Sequence, residues 1–434
     1  MKNDLEKKVM RKVTLRIIPF IMLLYFIAFL DRVNIGFAAL TMNQDLGFSP
    51  TVFGLGAGIF FLGYFLFEVP SNLILHKVGA RIWIARVMIT WGFVSGCMAF
   101  VQGTTSFYIL RFLLGVAEAG FFPGIILYLS YWFPAARRAQ VTAIFMAAAP
   151  LSTALGSPVS AALLEMHGFL GYAGWQWMFV LEALPALVLG VVVLFFLTDR
   201  PAKAKWLTDQ ERAWLENAMQ DEERARAAKQ SHSSAWRGLA DIRVLALVYF
   251  GTSAGLYTLG IWSPQIIRSF GASSLEIGFL NAFPAVIGVI AMILWARHSD
   301  RTKERSWHVI GACLLAGAGL IYAGNVSTLF TVMVALTLVT VGISASKPPL
   351  WSMPTLFLSG PAAAAGIAAI NSIGNLGGFV GPMMIGVIRE QTGSYSWGLY
   401  FVAGLLALSA LVVMILSARA NKSPTAELPH PHTH

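Results

Sequence analysis

Charge is scarce in this sequence: Asp, Glu, Lys and Arg make up only 12% of its 434 residues, and 57% of the residues are hydrophobic. Soluble globular proteins carry about 25% charged residues, so this chain has too little polar surface to cover a water-soluble body of its size. The mean hydropathy of +0.68 agrees with that conclusion. The composition therefore places the chain in a membrane.

Cysteine is nearly absent. Cys97 and Cys313 lie inside apolar segments and have neither CxxC nor metal-ligand spacing, so inert buried thiols explain them better than a disulfide or a metal site. Phosphate-binding motifs are missing too, because no GxGxxG follows a strand and no GxxxxGKS/T occurs. The sequence also has no nucleophile–base arrangement. We therefore expect neither an enzyme nor a cofactor.

The net charge of +10 does not indicate nucleic-acid binding, because the basic residues form short clusters between apolar runs and not one patch. Such clusters are typical of the loops that set membrane topology. The C-terminal PHPHTH has the composition of a metal-binding tract, but a disordered tail is the simpler interpretation.

Twelve segments are long and apolar enough to cross a bilayer, which takes roughly 20 residues. Lipid offers the backbone no hydrogen bonds, so these segments predict an all-α membrane protein. They lie near residues 17–39, 52–75, 82–101, 105–131, 139–164, 175–197, 243–267, 276–297, 307–325, 328–351, 361–388 and 396–418.

Basic residues predict the orientation, since positively charged loops stay on the cytoplasmic side. They cluster before residue 17 and in the loops after the second, fourth and eighth spans, whereas the opposite side shows little beyond Arg268 and Arg389. The N-terminus is basic and then apolar like a signal peptide, but its apolar stretch continues past residue 30 without a cleavage site. We expect both termini in the cytoplasm of a bacterial-type inner membrane.

A charged interruption separates the first six spans from the last six. Its segment TDQERAWLENAMQDEERARAA starts with a Thr N-cap signal and predicts a surface helix. We expect a six-helix bundle over 1–198, a cytoplasmic connector over 199–242, a second bundle over 243–418 and a cytoplasmic tail over 419–434.

The two halves resemble each other. HKVGAR after the second span aligns with SDRTKER after the eighth at a shift of 224 residues, and the same shift places Pro158 on Pro382. Two anchors at one offset favour an internal repeat, which is how many secondary transporters are built.

Five motifs in chain order carry a family resemblance: FLDRVNIGFA, FEVPSNL, RFLLGVAEAGFFPG, YWFP and GWQWMFVLEALPA. With the basic turns after the second and eighth spans, they make the chain similar to the major facilitator superfamily, although His76 stands where the first turn usually has Asp. Within that superfamily the chain resembles the anion:cation symporter branch, above all permeases for tartrate, rhamnonate and other sugar acids, and hydroxyphenylacetate. The resemblance implies a monomeric transporter of two six-helix bundles that imports an organic acid anion with protons.

Two pairs of charged residues lie inside the first and fourth spans. Asp31 and Arg32 interrupt the first span, while Arg111 and Glu118 are seven residues apart in the fourth and so share a helix face at ~10 Å. A charge at the bilayer centre costs at least about 2.5–3.5 kcal/mol, so such residues usually mark a pathway. We predict that the two pairs meet across a central cavity; ion pairs that merely staple helices together are the alternative.

The chemistry of these side chains divides their roles. Arg binds a carboxylate with two hydrogen bonds and keeps its charge, which favours Arg32 and Arg111 as ligands of an organic anion. A carboxyl group can take up and release a proton, which favours Asp31 and Glu118 for proton coupling. The family resemblance implies the same assignment. No set of sodium ligands stands out, so H⁺ is expected in preference to Na⁺.

Further candidate contacts carry weaker signals. Trp351, Asn371 and Tyr64 match positions that contact substrate in the resembled family, although packing or helix–helix hydrogen bonding explains them as well. Lys347 is either another anion contact or a lysine that snorkels to the interface. The prolines of SASKPPLWSMP are expected to break the tenth span near a binding site.

Two more acidic residues lie within the spans. Glu68 is near the cytoplasmic end of the second span and is interpreted as a structural or gating group, paired with a loop arginine. Glu182 is close to the outer end of the sixth span, where we expect water to reach it. Neither is assigned to the predicted site.

Other functions and substrates stay open. An organic-anion antiporter or exporter is one alternative, although the long glycine pattern ending in Gly-Pro that drug exporters carry in the fifth span is reduced here to Gly156 and a Ser-Pro. A membrane receptor without transport is a more distant one, because the connector is too short for a signalling domain. The expected partners are membrane lipid, protons and an acid that is tartrate-like, a sugar acid or aromatic.

Overall fold

The computed structural model describes residues 2–229, 235–353 and 360–422. Parts of the predicted connector and tail therefore lie outside the described residues. Within these ranges the regular structure is entirely helical. The α-helices are α1 (Lys2–Val33), α2 (Ile35–Asp45), α3 (Pro50–Val78), α4 (Ala80–Cys97), α5 (Thr104–Glu118), α6 (Phe121–Trp132), α7 (Ala135–Met146), α8 (Ala148–Leu164), α9 (Gly174–Phe196), α10 (Asp209–Lys229), α11 (Ala235–Arg268), α12 (Ser274–Thr302), α13 (Ser306–Ala323), α14 (Leu329–Ser352), α15 (Gly360–Asn375), α16 (Gly377–Thr392) and α17 (Ser396–Lys422).

The helices reproduce the predicted membrane spans. Among the described residues, 11 helical segments are long and apolar enough to cross a membrane. The remaining predicted span, 361–388, is helical as α15 and α16, which both pack against α11, and α16 also packs along α3. The predicted all-α membrane protein with two six-helix bundles is confirmed.

The first helix begins well before the apolar run that the sequence marks. The sequence predicts a tail before residue 17, but α1 starts at Lys2, and Val9 is completely buried. Lys12 donates a hydrogen bond to Glu211 of the connector at 2.8 Å. The basic N-terminal residues thus also hold the connector in place by ion pairing.

The predicted surface helix of the connector is confirmed as α10. The Thr208 backbone N–H donates to Glu211 Oε2 at 3.0 Å, and the Glu211 N–H donates to Thr208 Oγ1 at 3.2 Å, so the two residues form a capping box. The hydrogen bond from Lys12 lowers the pKa of the Glu211 carboxyl from its ordinary value. Arg138 on α7 donates to Glu222 at 3.0 Å, which fastens α10 to a second helix.

Several spans consist of two helices separated by a break. Asn34 separates α1 from α2, and Ala119 with Gly120 separates α5 from α6. Gly120 has φ +86°, a left-handed conformation that favours glycine. The Ser71 hydroxyl on α3 donates to the Ala119 carbonyl at 2.6 Å. A side-chain hydroxyl thus satisfies a backbone carbonyl at the interruption. Broken helices are tolerated in a bilayer because neighbouring groups of this kind replace the lost helical hydrogen bonds.

Equivalent contacts in the two halves support the predicted internal repeat. Gly54 on α3 meets the carbonyl of Pro382 on α16, and Gly278 on α12 meets Pro158 on α8. The two glycines, like the two prolines, are related by the shift of 224 residues. The serine N-caps that begin α3 and α12 obey the same shift. The two halves therefore share individual packing contacts as well as the sequence repeat.

The two halves are closed against each other at the end of the molecule that lies away from the connector. A Cβ atom on Gly36 would lie 2.7 Å from the carbonyl oxygen of Gly260, so only glycine permits this approach of α2 to α11. Ser49 Oγ and the Thr51 N–H donate to the Glu390 carboxylate at 2.7 and 2.9 Å. These three polar residues form an exposed latch between α3 and α16.

Candidate functional site

Arg32 forms the centre of the site, near the end of α1 and only 6% exposed. Its Nη2 donates to Glu118 Oε1 on α5 in a buried ion pair, and its Nη1 donates to the Tyr257 hydroxyl on α11 at 2.9 Å. Because α5 belongs to the first half and α11 to the second, one guanidinium contacts both halves. The predicted meeting of the first and fourth spans is thus made by Arg32 and Glu118.

Aromatic rings surround the Arg32 guanidinium. Its Cζ lies 5.4 Å from the Phe60 ring centroid, 5.3 Å from that of Tyr64 and 5.9 Å from that of Tyr257. A desolvated cation over aromatic faces gains about 2 kcal/mol. The predicted contact residue Tyr64 therefore lies beside Arg32, whereas Tyr257 was not predicted because a tyrosine in an apolar helix carries no distinctive sequence signal.

Arg111 is completely buried on α5 but forms no ion pair with a carboxylate of the described residues. Its Nε and Nη2 donate to the backbone carbonyls of Gly56 and Ala57 on α3 at 3.3 and 3.0 Å. Its Nη1 has no partner among the described residues, and its Cζ lies 5.1 Å from the Phe60 ring. Phe60 therefore neighbours both arginines, and Arg111 keeps one N–H group free for an anion.

Asp31 faces away from Arg32, because adjacent helix residues point about 100° apart. Its Oδ2 accepts from Trp91 Nε1 at 2.7 Å and its Oδ1 from Ser95 Oγ at 3.1 Å, both on α4. The expected cluster of four charges is thus only partly assembled. On the other side of α1, Asp31 accepts these hydrogen bonds from neutral donors.

The expectation that water reaches Glu182 is wrong. Glu182 is 2% exposed and accepts from Ser160 Oγ on α8 at 2.6 Å and from Asn34 Nδ2 at 3.0 Å. The sequence held two signals for this contact: a carboxyl group inside an apolar helix, and an Asn three residues after Asp31 on the same helix face.

Glu68 also differs from its interpretation as the partner of a loop arginine. It is 1% exposed and accepts hydrogen bonds from Asn371 Nδ2 at 2.7 Å and from the Ser372 hydroxyl, both on α15. The contact joins the two halves deep along α3. The amide of the predicted substrate contact Asn371 is therefore engaged by Glu68 in this conformation.

The two other predicted contacts lie on α14. Trp351 is half-buried and packs edge-on against Tyr249, with ring centroids 4.9 Å apart, while its Nε1 has no partner within the described residues. Lys347 takes part in none of the ion pairs of the described chain and lies close enough to Arg32 for their charges to interact. The site thus extends towards the second half.

The prediction that prolines break the tenth span is wrong for the described part of that span. The helix α14 continues through Pro348 and Pro349 to Ser352, and Pro354 lies outside the described residues. Proline is tolerated within spanning helices because hydroxyl side chains and neighbouring helices satisfy the freed carbonyls. At the end of α14, Ser352 Oγ donates to the Pro349 carbonyl at 2.7 Å.

Metal binding has no candidate in the described residues, since no three His, Cys, Asp or Glu side chains there are placed to hold an ion. The arrangement instead combines a paired arginine, an arginine with a free donor and three buried carboxyl groups around α1. Such a set is suited to binding an anion and protons.

A family model described as Major Facilitator Superfamily matches residues 21–382. A protein of Agrobacterium vitis, whose name assigns it provisionally to tartrate transport, is 74% identical over 432 residues, which is 99% of this chain and 96% of that protein. The quinolone resistance transporter of Acinetobacter baumannii is 40% identical, and the match covers 97% of this chain and 98% of that protein.

Among solved structures, a bacterial homologue of the human lysosomal transporter Spinster in an inward-facing, unoccupied conformation has a similar fold. Its TM-score is 0.76 at 16% sequence identity, and the match covers 97% of this chain and 99% of that one. At this level of identity the likeness concerns the fold alone.

Proposed function

The chain belongs to the major facilitator superfamily, whose members are transporters and not enzymes, and we propose that it imports a small organic acid anion, tartrate or a close analogue, together with protons. Transport follows alternating access in the inner membrane of a bacterial cell, with both termini in the cytoplasm. The 74% identity to a relative named for tartrate favours a hydroxy-dicarboxylate over the aromatic acids.

The buried ion pair between Arg32 and Glu118 is the observation that carries this proposal. While Glu118 is ionised, it occupies the guanidinium N–H group that a substrate carboxylate needs. Protonation of Glu118 removes its charge and leaves Arg32 buried without an anion, which is strongly unfavourable. A substrate carboxylate then restores the pairing, so proton binding and substrate binding favour each other.

A dicarboxylate has a second charge, and Arg111 supplies a second cation with a free Nη1 group. Arg binds carboxylates with geometric specificity. Tyr64, Trp351, Asn371 and Lys347 are proposed as further substrate contacts, and Asp31 joins Glu118 in proton coupling.

Closure of the halves at the end away from the connector suits alternating access. If the connector is cytoplasmic, as the basic loops favour, this closed end faces outward. Release of the latch at Glu390 would then accompany opening to the outside, whereas the Glu68 contact to α15, which lies one helical turn beyond Tyr64 on the connector side of the site, would be released on opening to the inside. The bundles proposed to move against each other span 1–198 and 243–418, as a monomer in lipid.

The test records external pH in lightly buffered, de-energised cells that express the protein, with acids added one at a time. We expect L-tartrate to cause alkalinisation, and rhamnonate and hydroxyphenylacetate to cause less. Arg111→Ala should abolish the signal, while Arg268→Gln at the exposed outer end of α11 serves as the matched control. Tartrate uptake without alkalinisation would contradict proton symport, and absence of uptake would contradict the substrate.

Export is a second candidate, favoured by the 40% identity to a quinolone resistance transporter. If export is correct, cells that express the protein become less susceptible to a quinolone, and Arg32→Gln restores their susceptibility. Unchanged susceptibility together with tartrate uptake would leave import as the function.

A further inference from the structure

A second pair of buried carboxyl groups lies on the opposite side of α1 from the Arg32–Glu118 pair. Asn34, in the break between α1 and α2, donates its Nδ2 to Glu182 Oε2 at 3.0 Å and to Asp31 Oδ1 at 3.5 Å. One amide nitrogen therefore links the two carboxyl groups. We refer to Asp31, Asn34 and Glu182 as the carboxyl bridge; all three are at most 2% exposed.

The bridge contains no cation. Its remaining hydrogen-bond donors are neutral, and they are Trp91, Ser95 and Ser160. In the part of the chain that the structure describes, no ion pair includes Asp31 or Glu182. The charged groups nearby are Arg32 and Glu118, which are bonded to each other. Helices α4 and α8 contribute only neutral side chains at this point.

Two carboxylates joined by one amide in a dry interior cannot both stay ionised, because like charges repel and no solvent or cation compensates them. One proton shared by the pair removes this conflict. By contrast, Glu118 is compensated by Arg32 and needs no proton in this conformation.

The bridge also holds an unused acceptor. Asn34 Oδ1 is buried and has no hydrogen-bond partner among the described residues. A protonated carboxyl group carries an O–H donor that an ionised one lacks. A proton on either acid therefore adds a donor to the bridge, in which the buried Asn34 Oδ1 has none.

We propose that Asp31 and Glu182 share one proton through Asn34 and form a proton site distinct from Glu118. The proposal rests on the proposed proton symport, and it adds Glu182 and Asn34 to the residues that carry coupling. The carboxyl bridge lies next to the contact between the two halves, because Gly36, two residues after Asn34, packs on the Gly260 carbonyl of α11. Loss of the shared proton would leave two negative charges beside the break between α1 and α2, close to the point where the two halves are in contact.

The first experiment uses the purified full-length protein without substrate and records the infrared C=O stretch of protonated carboxyl groups at pH 7.5. We expect the wild type to show this band and Glu182→Gln to lose it, because Asp31 then ionises without a repelling neighbour. Glu165→Gln, a carboxyl-to-amide change at an exposed site at the outer end of the neighbouring α8, should leave the band unchanged. A wild type without the band, or a Glu182→Gln variant that retains it, would overturn the proposal even if the protein transports nothing tested.

The second experiment measures L-tartrate uptake into proteoliposomes as a function of pH. Glu182→Gln should retain tartrate exchange at pH 5.5 within about twofold, while the pH of half-maximal uptake moves ~1 unit towards acid, since removal of one carboxylate weakens proton binding at the other. Glu182→Asp should keep the wild-type profile. Should Glu182→Gln fail to fold, Asn34→Ala, which removes only the link, must also alter the profile. Unchanged profiles in a protein that transports tartrate would refute the shared proton but not the transport function.

Discussion

The two halves of this transporter share a packing plan but differ in charge. The buried charges of the first half are Asp31, Arg32, Glu68, Arg111, Glu118 and Glu182, and the residues 224 positions later are Gly255, Leu256, Met292, Ala335, Gly342 and Leu406. Among the described residues, the side chains of the second half that hydrogen-bond these charges are neutral: Tyr257 contacts Arg32, while Asn371 and Ser372 contact Glu68.

The difference indicates a division of labour. Ion pairs that cross a moving interface would leave buried charges unpaired whenever the halves separate, at a cost of about 3–5 kcal/mol. Hydrogen bonds from neutral groups are easier to exchange. The charges that we propose to bind substrate and protons can therefore stay in one half while the other half moves against them.

The strongest test of this contrast removes one cation from each half. Arg32→Gln should lower the initial rate of tartrate uptake by at least about 30-fold, because loss of one partner of a buried charge pair costs about 2–5 kcal/mol. Lys347→Gln, whose cation has no ion pair within the described chain, should lower it by less than about threefold. An equal loss in Lys347→Gln would contradict the assignment of anion binding to the first half.

A moderate effect is expected at the contact between Glu68 and α15. Glu68→Gln weakens two hydrogen bonds to a charged acceptor, each of which is worth about 1.5–3 kcal/mol, so the open population should rise about tenfold. Spin labels on Lys77→Cys and Arg301→Cys, at exposed connector-side ends of the two halves, would measure the open population after Cys97 and Cys313 are replaced by alanine. An unchanged distance distribution would contradict a locking role for Glu68.

The smallest effect is expected at the exposed latch. The hydrogen bonds from Thr51 and Ser49 lower the pKa of Glu390, so the latch favours closure above the carboxyl's ordinary pKa of about 4.3 and loses this contribution as the pH falls through the lowered value. Glu390→Gln should change the open population less than about twofold at pH 7 and abolish this acid dependence. Spin labels on Thr104→Cys and Ser327→Cys, at exposed outer ends of the two halves, report this population, and a variant that opens in acid like the wild type would exclude Glu390.

Periodicity and length in the sequence predicted the spans and the cap of α10 at Thr208. They also predicted the shared face of Arg111 and Glu118, because these features depend on residues close in the chain. The partners across helices were less predictable. Periodicity fixes which face a residue occupies but not which helix covers that face, so the contacts of Glu68 and Glu182 were missed.

The sequence by itself determined that this chain is a membrane protein of two repeated halves with its buried charges in the first, since scarcity of charge and length of apolar runs leave no soluble alternative. Tertiary structure alone decided how those charges pair. The ~100° between neighbouring residues on α1 sends Arg32 to Glu118 and Tyr257 but Asp31 to Trp91, and the packing of α9 against α1 brings Glu182 to Asn34. Which carboxyl group meets a cation and which meets another acid depends on helix packing that no local pattern encodes.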